Sequence, residues 1–501
     1  PERPARRPFA APPVLGVGDP EAPLHADDLV RRSPLFDARW YLAHNSDVRA
    51  DGIDPALHYV RSGAAQGRDP GPAFSTTGYR AAGAPGFANP LVHYETAGRL
   101  AGRAALPQLP GALAGALADV GNGAGGARVL VCGHLAGPEL YGAERSLLDM
   151  LARLVAAGKV PVVAIPRGDN PAYLDALRAR AAAVAVMPLP WWHVDRPPHR
   201  ATLAALEGLI ATHRATEVHA NTVVLQAPRL AGRAAGVPVV VHLREMPGAD
   251  ATIRAAILGA PGDPAPPPPE AAATIRAALL AEADRFVANS AAVAAWLDAP
   301  GRVEVVGNRV DPALFLLPAA PVSGPGAGLC LGMISSNIAK KGIAEAVAVA
   351  QAAARALAGR KGTVRLRLVG PASADLAALG PLPAIVETPG YAAGPAEALA
   401  GIDVVLSLSR VPESFGRTVL EAMAAGRPVI AWDRGHPPAL IGRGAGAGGI
   451  VVPADDIAAA AAAVAALADD RALLAALGTA ARARARALLA DEGAAAEAAC
   501  P

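Results

Sequence analysis

The chain has 501 residues, with 52 glycines, 48 prolines and only 18% charged residues. That length exceeds one ordinary hydrophobic core, so two or three domains are expected. Lys plus Arg number 46 against 44 Asp plus Glu, and a net charge of +2 gives no case for a nucleic-acid-binding surface.

No apolar h-region follows the arginines of PERPARRPFAAPP, and the longest uncharged apolar stretch, IAAAAAAVAALA from Ile457, is too short to span a bilayer. A cytoplasmic location is expected, with peripheral contact at the inner face of a membrane left open. Cys132, Cys330 and Cys500 lie far apart without metal-ligand spacing. The first two fall in strand-like apolar runs and read as small buried hydrophobes.

Residues 1–32 are rich in Pro and Arg and are expected to be a disordered tail. A helical repeat module follows over 33–104, in two copies, FDARWYLAHNSDVRADGIDPALHYVRSGAAQGR (36–68) and FSTTGYRAAGAPGFANPLVHYETAGRLAGR (74–103). Each copy predicts a helix after Phe36 or Phe74 and a second after Pro55 or Pro90, capped by Asp54 or Asn89 and stopped by Gly63 or Gly98. His58 and His93 recur at one repeat position and read as packing residues, since neither has ligand partners nearby in sequence. The module could bind protein or glycan. Residues 105–127, rich in Gly, Ala and Pro, read as a flexible linker.

From Arg128 strands alternate with helices: RVLVCGH, VPVVAIP, AVAVMPLP, EVHANT and VPVVVHLRE are separated by helical runs. This predicts a doubly wound parallel sheet over 128–312. Within it, residues 248–272 are read as a mobile insertion because four consecutive prolines break regular structure. After a Pro-rich joint at 313–325 the alternation restarts over 326–490, leaving a tail at 491–501. The expected fold class is therefore α/β, two tandem Rossmann-like domains facing across a cleft, plus the small helical module.

The stretch VPESFGRTVLEAMAAGRPVIAWD, from Val411, carries the chemistry. It follows the strand DVVLSLS, so Glu413 lies at a strand's carboxyl end and a helix begins near Gly416. Val419, Leu420 and Met423 are predicted to face the core, with Ser414, Arg417, Thr418 and Glu421 on the other face. The free N–H groups of a helix start favour a phosphate. One carboxylate can accept hydrogen bonds from vicinal hydroxyls, so Glu413 and Glu421 flanking that phosphate fit a nucleoside diphosphate sugar.

These residues resemble the E-x7-E signature of the family-4 retaining glycosyltransferases of the GT-B fold. YGAERSLLDML, FVANSAAVAAWL, VVGNRVDPALF, KKGI and TPGY resemble other segments of that family in the same order, over about 128–480. The repeats resemble helical repeats found beside glycosyltransferases for bacterial surface polysaccharides. The resemblance implies transfer of a sugar from a nucleotide-diphosphate sugar to a glycan or lipid-linked acceptor, with no cofactor and no metal. It implies that Glu421 holds the ribose and Glu413 the transferred sugar. Backbone amides near Phe415 and Gly416, with Thr418, would receive the diphosphate, and Ser414 and Arg410 are further donor-binding candidates. Lys341 would neutralise the leaving phosphate, His242 would face the donor sugar, and Gly142 would let the first loop approach closely.

The chain departs from the family at two places. Met333 stands where an arginine is common, which leaves two alternatives, compensation by Arg410 or Lys340 or a weak phosphate site, and Arg309 replaces a common glycine. Arg244 and Glu245 are candidate acceptor-side residues. Glu144 reads as a first-turn acid, and Trp191 and Trp192 as either a sugar platform or an apolar plug. Two other functions are compatible with the sequence: a catalytically silent glycan-binding scaffold, and a nucleotide-sugar epimerase of the same architecture.

Overall fold

The computed structural model describes residues 26–498, except 44, 46–47, 50–51, 72, 82–88, 106–111, 120–125, 135–139, 167, 169, 195–197, 199, 259–267, 321–327 and 361. The tail at 1–25 and Cys500 thus lie outside the described residues. Residues Ala26–Arg32, read as the end of that tail, instead form a helix whose Val30 is wholly buried in the repeat module. Val30 belongs to the buried cluster that holds Tyr41, Tyr59 and Phe74, and Ala26 and Leu29 pack against it.

In the two repeat copies Asp54 accepts from the Leu57 N–H at 2.9 Å and Asn89 from the Val92 N–H at 3.1 Å. Each capped helix runs on into a wider π-helical turn ending at Gly63 or Gly98. The histidines pack as hydrogen-bond partners: Tyr41 Oη lies 2.8 Å from His58 Nδ1, and Tyr79 Oη 2.8 Å from His93 Nδ1. A side chain at Gly63 or Gly98 would collide with those tyrosine hydroxyls.

Two sheets follow. The first runs through β1 (Leu113–Ala114), β2 (Arg128–Cys132), β3 (Val160–Ile165), β4 (Ala183–Val186), β5 (Glu217–Ala220), β6 (Val239–Leu243), β7 (Arg285–Ala288) and β8 (Val303–Val305), in the order β1-β4-β3-β2-β5-β6-β7-β8. The second comprises β9 (Leu329–Ile334), β10 (Val364–Val369), β11 (Val386–Gly390), β12 (Val404–Ser407), β13 (Val429–Trp432) and β14 (Gly449–Val452), in the order β11-β10-β9-β12-β13-β14. Every pairing is parallel except β1 with β4. Central strands such as β3, buried at all six positions, are near-continuous apolar runs because helices cover both faces.

Three further expectations need correction. Part of the linker is an edge strand: β1 pairs antiparallel with β4, and the Gly115 and Leu117 N–H groups donate to the Ala182 and Ala181 carbonyls. The backbone groups of an exposed sheet edge attract such pairing whatever the side chains. The insertion also contains regular structure among its described residues. Ala251–Leu258 is a helix with Ile253 and Ile257 buried, and a 3-10 turn covers Pro269–Ala271. At the carboxyl terminus the last helix continues from Arg471 to Ala498, through most of the residues read as a tail.

In each sheet the strand order reverses once, between β2 and β5 and between β9 and β12. At such a switch point adjacent connections leave to opposite faces and open a crevice at the carboxyl ends of the strands.

Candidate active site

A cavity of about 580 Å³ lies where the two sheets' carboxyl ends meet. The first domain contributes Leu140, Tyr141, Gly142, Arg145 and Glu245; the second contributes the ends of β9, β10 and β12 and the start of the Arg417–Ala424 helix. Gly416 caps that helix with φ of 91°, a left-handed conformation that lets the chain turn sharply from the Glu413 loop into the helix.

Lys341 ends a 3-10 turn after β9 and donates to Glu413 Oε1 at 2.6 Å. Both side chains are about a quarter exposed at the cavity wall. Their loops are tied together, since the Arg410 N–H and the Ser409 hydroxyl both donate to the Lys340 carbonyl. Gly342, with φ of 84°, packs against the Leu408 carbonyl so closely that a Cβ would overlap it. That contact sets the distance between Lys341 and the end of β12.

Glu421 is buried, only 5% exposed, on the helix face opposite the fully buried Val419 and Met423. It is not a solvated surface residue. Arg145 from the first domain donates to its Oε1, and Arg417 does so at 3.3 Å. Burial raises the Glu421 pKa, and the two guanidiniums offset only part of that. Arg417 also reaches Asp149 at 2.7 Å, Ser146 Oγ at 3.3 Å and the Arg309 carbonyl at 3.1 Å. Arg309 itself has no positive φ, so the conformation a glycine would allow there is not used.

The sequence-derived residues divide into two groups. Gly142, Lys341, Glu413, Gly416, Thr418 and Glu421 line the cavity together. His242, Arg410, Ser414 and Phe415 do not. His242 is buried behind the wall, with Nε2 3.0 Å from His219 Nδ1, and His219 bonds Glu217 at 2.9 Å. Burial and then the neighbouring His219 and Arg244 hold His242 well below the ordinary histidine pKa. The ring is thus enclosed and does not line the cavity. Arg410 turns outward to Glu345 at 2.6 Å and does not replace the charge missing at Met333, whereas Lys340 does line the cavity. Phe415 is buried and stacks on His436 at 5.7 Å. Ser414 joins the domains: its hydroxyl donates to the Arg244 carbonyl at 2.6 Å and accepts from Asn289, while Ser290 donates to its carbonyl.

Of the remaining candidates, Glu245 lines the cavity, and burial raises its pKa to about 7 despite bonds from Thr222 and the Val223 N–H. Arg244 spends its guanidinium on Asn221 and Asn308. Glu144 accepts from the Tyr141 N–H and caps its helix. Trp192 is buried under the Arg229 guanidinium, the apolar plug; Trp191 is exposed beside His134.

Sequence reasoning missed Arg145, Asp149 and Tyr391. Tyr391 Oη bridges the cleft, accepting from the Leu140 N–H and donating to its carbonyl, each at 3.0 Å. One signal was available: Arg145, Ser146, Asp149 and Arg153 form a polar stripe at i, i+1, i+4 and i+8, running on from Gly142, on a helix whose only other polar residue is Glu144.

Two family models match the chain in tandem, Glycosyltransferase Family 4 over residues 141–314 and Glycosyl transferases group 1 over residues 328–470. Over 64 residues the chain is 48% identical to the lipopolysaccharide core biosynthesis mannosyltransferase LpsB of Rhizobium meliloti (strain 1021). That match spans 13% of this chain and 18% of the relative. Among solved structures, HepE of Anabaena, in complex with UDP-glucose, superposes with a TM-score of 0.55 at 20% identity, covering 74% of this chain and 98% of that one. Sucrose-phosphate synthase of Thermosynechococcus elongatus gives 0.52 at 19% identity, covering 72% and 94%. Among the described residues no helix is long and apolar enough to cross a membrane.

Proposed function

Because the chain carries both domains of the GT-B glycosyltransferases, we propose that it is a retaining glycosyltransferase. It moves a sugar from a nucleotide-diphosphate sugar to a glycan or lipid-linked acceptor in surface polysaccharide synthesis. The observation that carries this reading is the convergence of Glu413, Lys341, Glu421 and a helix start on one interdomain cavity. In this reading the ribose hydroxyls bond Glu421. The diphosphate meets the first-turn N–H groups around Arg417 and Thr418, and the hexose lies against Glu413.

Lys341 stands where charge develops on the departing phosphate, so its ammonium stabilises the transition state more than the ground state. No divalent ion is required for that task, and chelation is expected to leave turnover intact. The leaving phosphate oxygen takes the acceptor proton on the face from which it departs, and the anomeric configuration is retained. His242 has no part in this step, being enclosed behind the wall.

The test is titration of UDP and GDP, and then their sugars, into the wild type and Glu421→Ala, followed by NMR of the anomeric proton of any product. Micromolar binding of one nucleotide that the variant loses, with retention at the anomeric carbon, supports the reading. An inverted product, or a glycosyl group trapped on Glu413, would overturn the front-face mechanism. Conversion of the donor to its epimer without acceptor would overturn the transferase itself.

A further inference from the structure

The glutamate assigned to the ribose is held in this structure by an arginine from the opposite domain. Arg145 Nη2 donates to Glu421 Oε1 across 276 residues of sequence. Four cations line the cavity: Arg145, Lys340, Lys341 and Arg417. Three have partners that a nucleotide on Glu421 would leave in place. Lys341 bonds Glu413, Lys340 lies 3.7 Å from Asp250, and Arg417 keeps Asp149, Ser146 and the Arg309 carbonyl. Arg145 has no such second anchor, and its Nε is buried with no hydrogen-bond partner.

Two neighbouring positions supply no cation to the cavity. Met333 is buried and apolar at the end of β9, and Arg410 is turned outward to Glu345. Arg145 sits on the first turn of its helix beside Gly142, with both residues on the cavity wall.

We propose that Arg145 is a donor-binding residue supplied by the first domain, which exchanges Glu421 for the donor's diphosphate when ribose hydroxyls take that carboxylate. This rests on the nucleotide-sugar reading above and adds a partner for the phosphates that the E-x7-E segment does not contain. A guanidinium can grip two phosphate oxygens at once, and one freed from Glu421 retains its donors for them. Donor binding would then tie the first domain to the second through the ligand, where the structure ties them directly.

The test uses the full chain and compares UDP and GDP with uridine and guanosine, which lack phosphates, in the wild type, Arg145→Met and Arg145→Lys. In Arg145→Met, affinity for the diphosphate is expected to fall about tenfold or more, the size of a lost charge-assisted contact. Affinity for the nucleoside should hold or rise, because Glu421 is no longer occupied. Arg145→Lys, which keeps the charge, should restore part of the diphosphate preference and shows that the site is intact. Equal tightening of nucleoside and diphosphate in Arg145→Met would make Arg145 a mask over Glu421 only, and unchanged affinities would remove any role; either overturns the exchange. Failure of the wild type to bind any of the four compounds would overturn the nucleotide-sugar reading itself and this inference with it.

Discussion

Lys341 Nζ lies 2.6 Å from Glu413 Oε1, which makes this pair a charged bridge between the loop after β9 and the loop after β12. Each side chain stays partly open to the cavity, so the bridge positions both groups without withdrawing them from a ligand. Replacing Lys341 with Met removes the cation and keeps most of the volume. Turnover should fall about a hundredfold, on the scale of one lost electrostatic donor to a developing anion. The donor KM should move far less, because the effect belongs to the transition state. Steady-state kinetics with a fixed acceptor decides this; a change confined to KM would assign Lys341 to ground-state binding instead.

Gly342 fixes the geometry of that bridge. Its φ of 84° and its contact with the Leu408 carbonyl leave no room for a Cβ. Gly342→Ala therefore has to shift either the helix that starts at Ile343 or the end of β12. A loss of about 2 kcal/mol in stability is expected from the strained backbone, together with a fall in turnover like that of Lys341→Met. Thermal melts beside the kinetics test this. A variant of native stability and full activity would show that the loop spacing is not set here.

Ser414 couples the domains from the second domain's side. Its hydroxyl donates to the Arg244 carbonyl and accepts from Asn289 Nδ2 at 3.1 Å. Ser414→Ala breaks both contacts and should cost about 1 kcal/mol, with a higher donor KM because the Glu413 loop is less firmly held. Denaturant titration and donor kinetics check the two parts separately. Intact KM would mean that Ser290, which donates to the Ser414 carbonyl, holds the loop without this hydroxyl.

The tandem α/β architecture was legible because each strand is a buried apolar run and each helix an amphipathic one, and the alternation of the two dictates parallel crossovers. The Glu413 loop and its helix were legible for the same local reason, with Val419 and Met423 marking the core face. What could not be read was partnership at a distance. Arg145 and Glu421 belong to different domains, and no local spacing announces that they meet. His242 was misplaced because a strand's last residues can face either the cleft or the helix layer, and the pleat decides. Here the pleat sets His242 beside His219 on the neighbouring strand, off the cavity wall. The short β1 escaped notice because a glycine- and alanine-rich run carries no strand pattern, and only the open edge of β4 recruits it.

That histidine layer predicts an acid sensitivity of its own. Glu217 accepts from Lys159 at 2.6 Å, from His219 at 2.9 Å and from Arg285. Burial alone would raise its pKa, but the His219 and Lys159 contacts outweigh that and hold it at about 2, below its ordinary 4.5. The folded pKa is depressed, so this carboxylate contributes stability above about pH 4.5, and the contribution is lost as pH falls toward 2. Its size is about 2 kcal/mol once the partial exposure of Lys159 and Arg285 is allowed for. His219 acts in a separate window: burial lowers its pKa, so stability falls from the ordinary histidine range downward as the ring is forced to charge. Glu217→Gln should therefore remove the carboxylate's share of the loss between pH 4.5 and 2.5, while the histidine-linked decline deepens, because Glu217 is the contact that raises the His219 pKa against burial. Urea titrations of both proteins across that range separate the two groups. Parallel curves below pH 4.5 would mean that Glu217 titrates at its ordinary value and that its contacts contribute no acid-dependent stability.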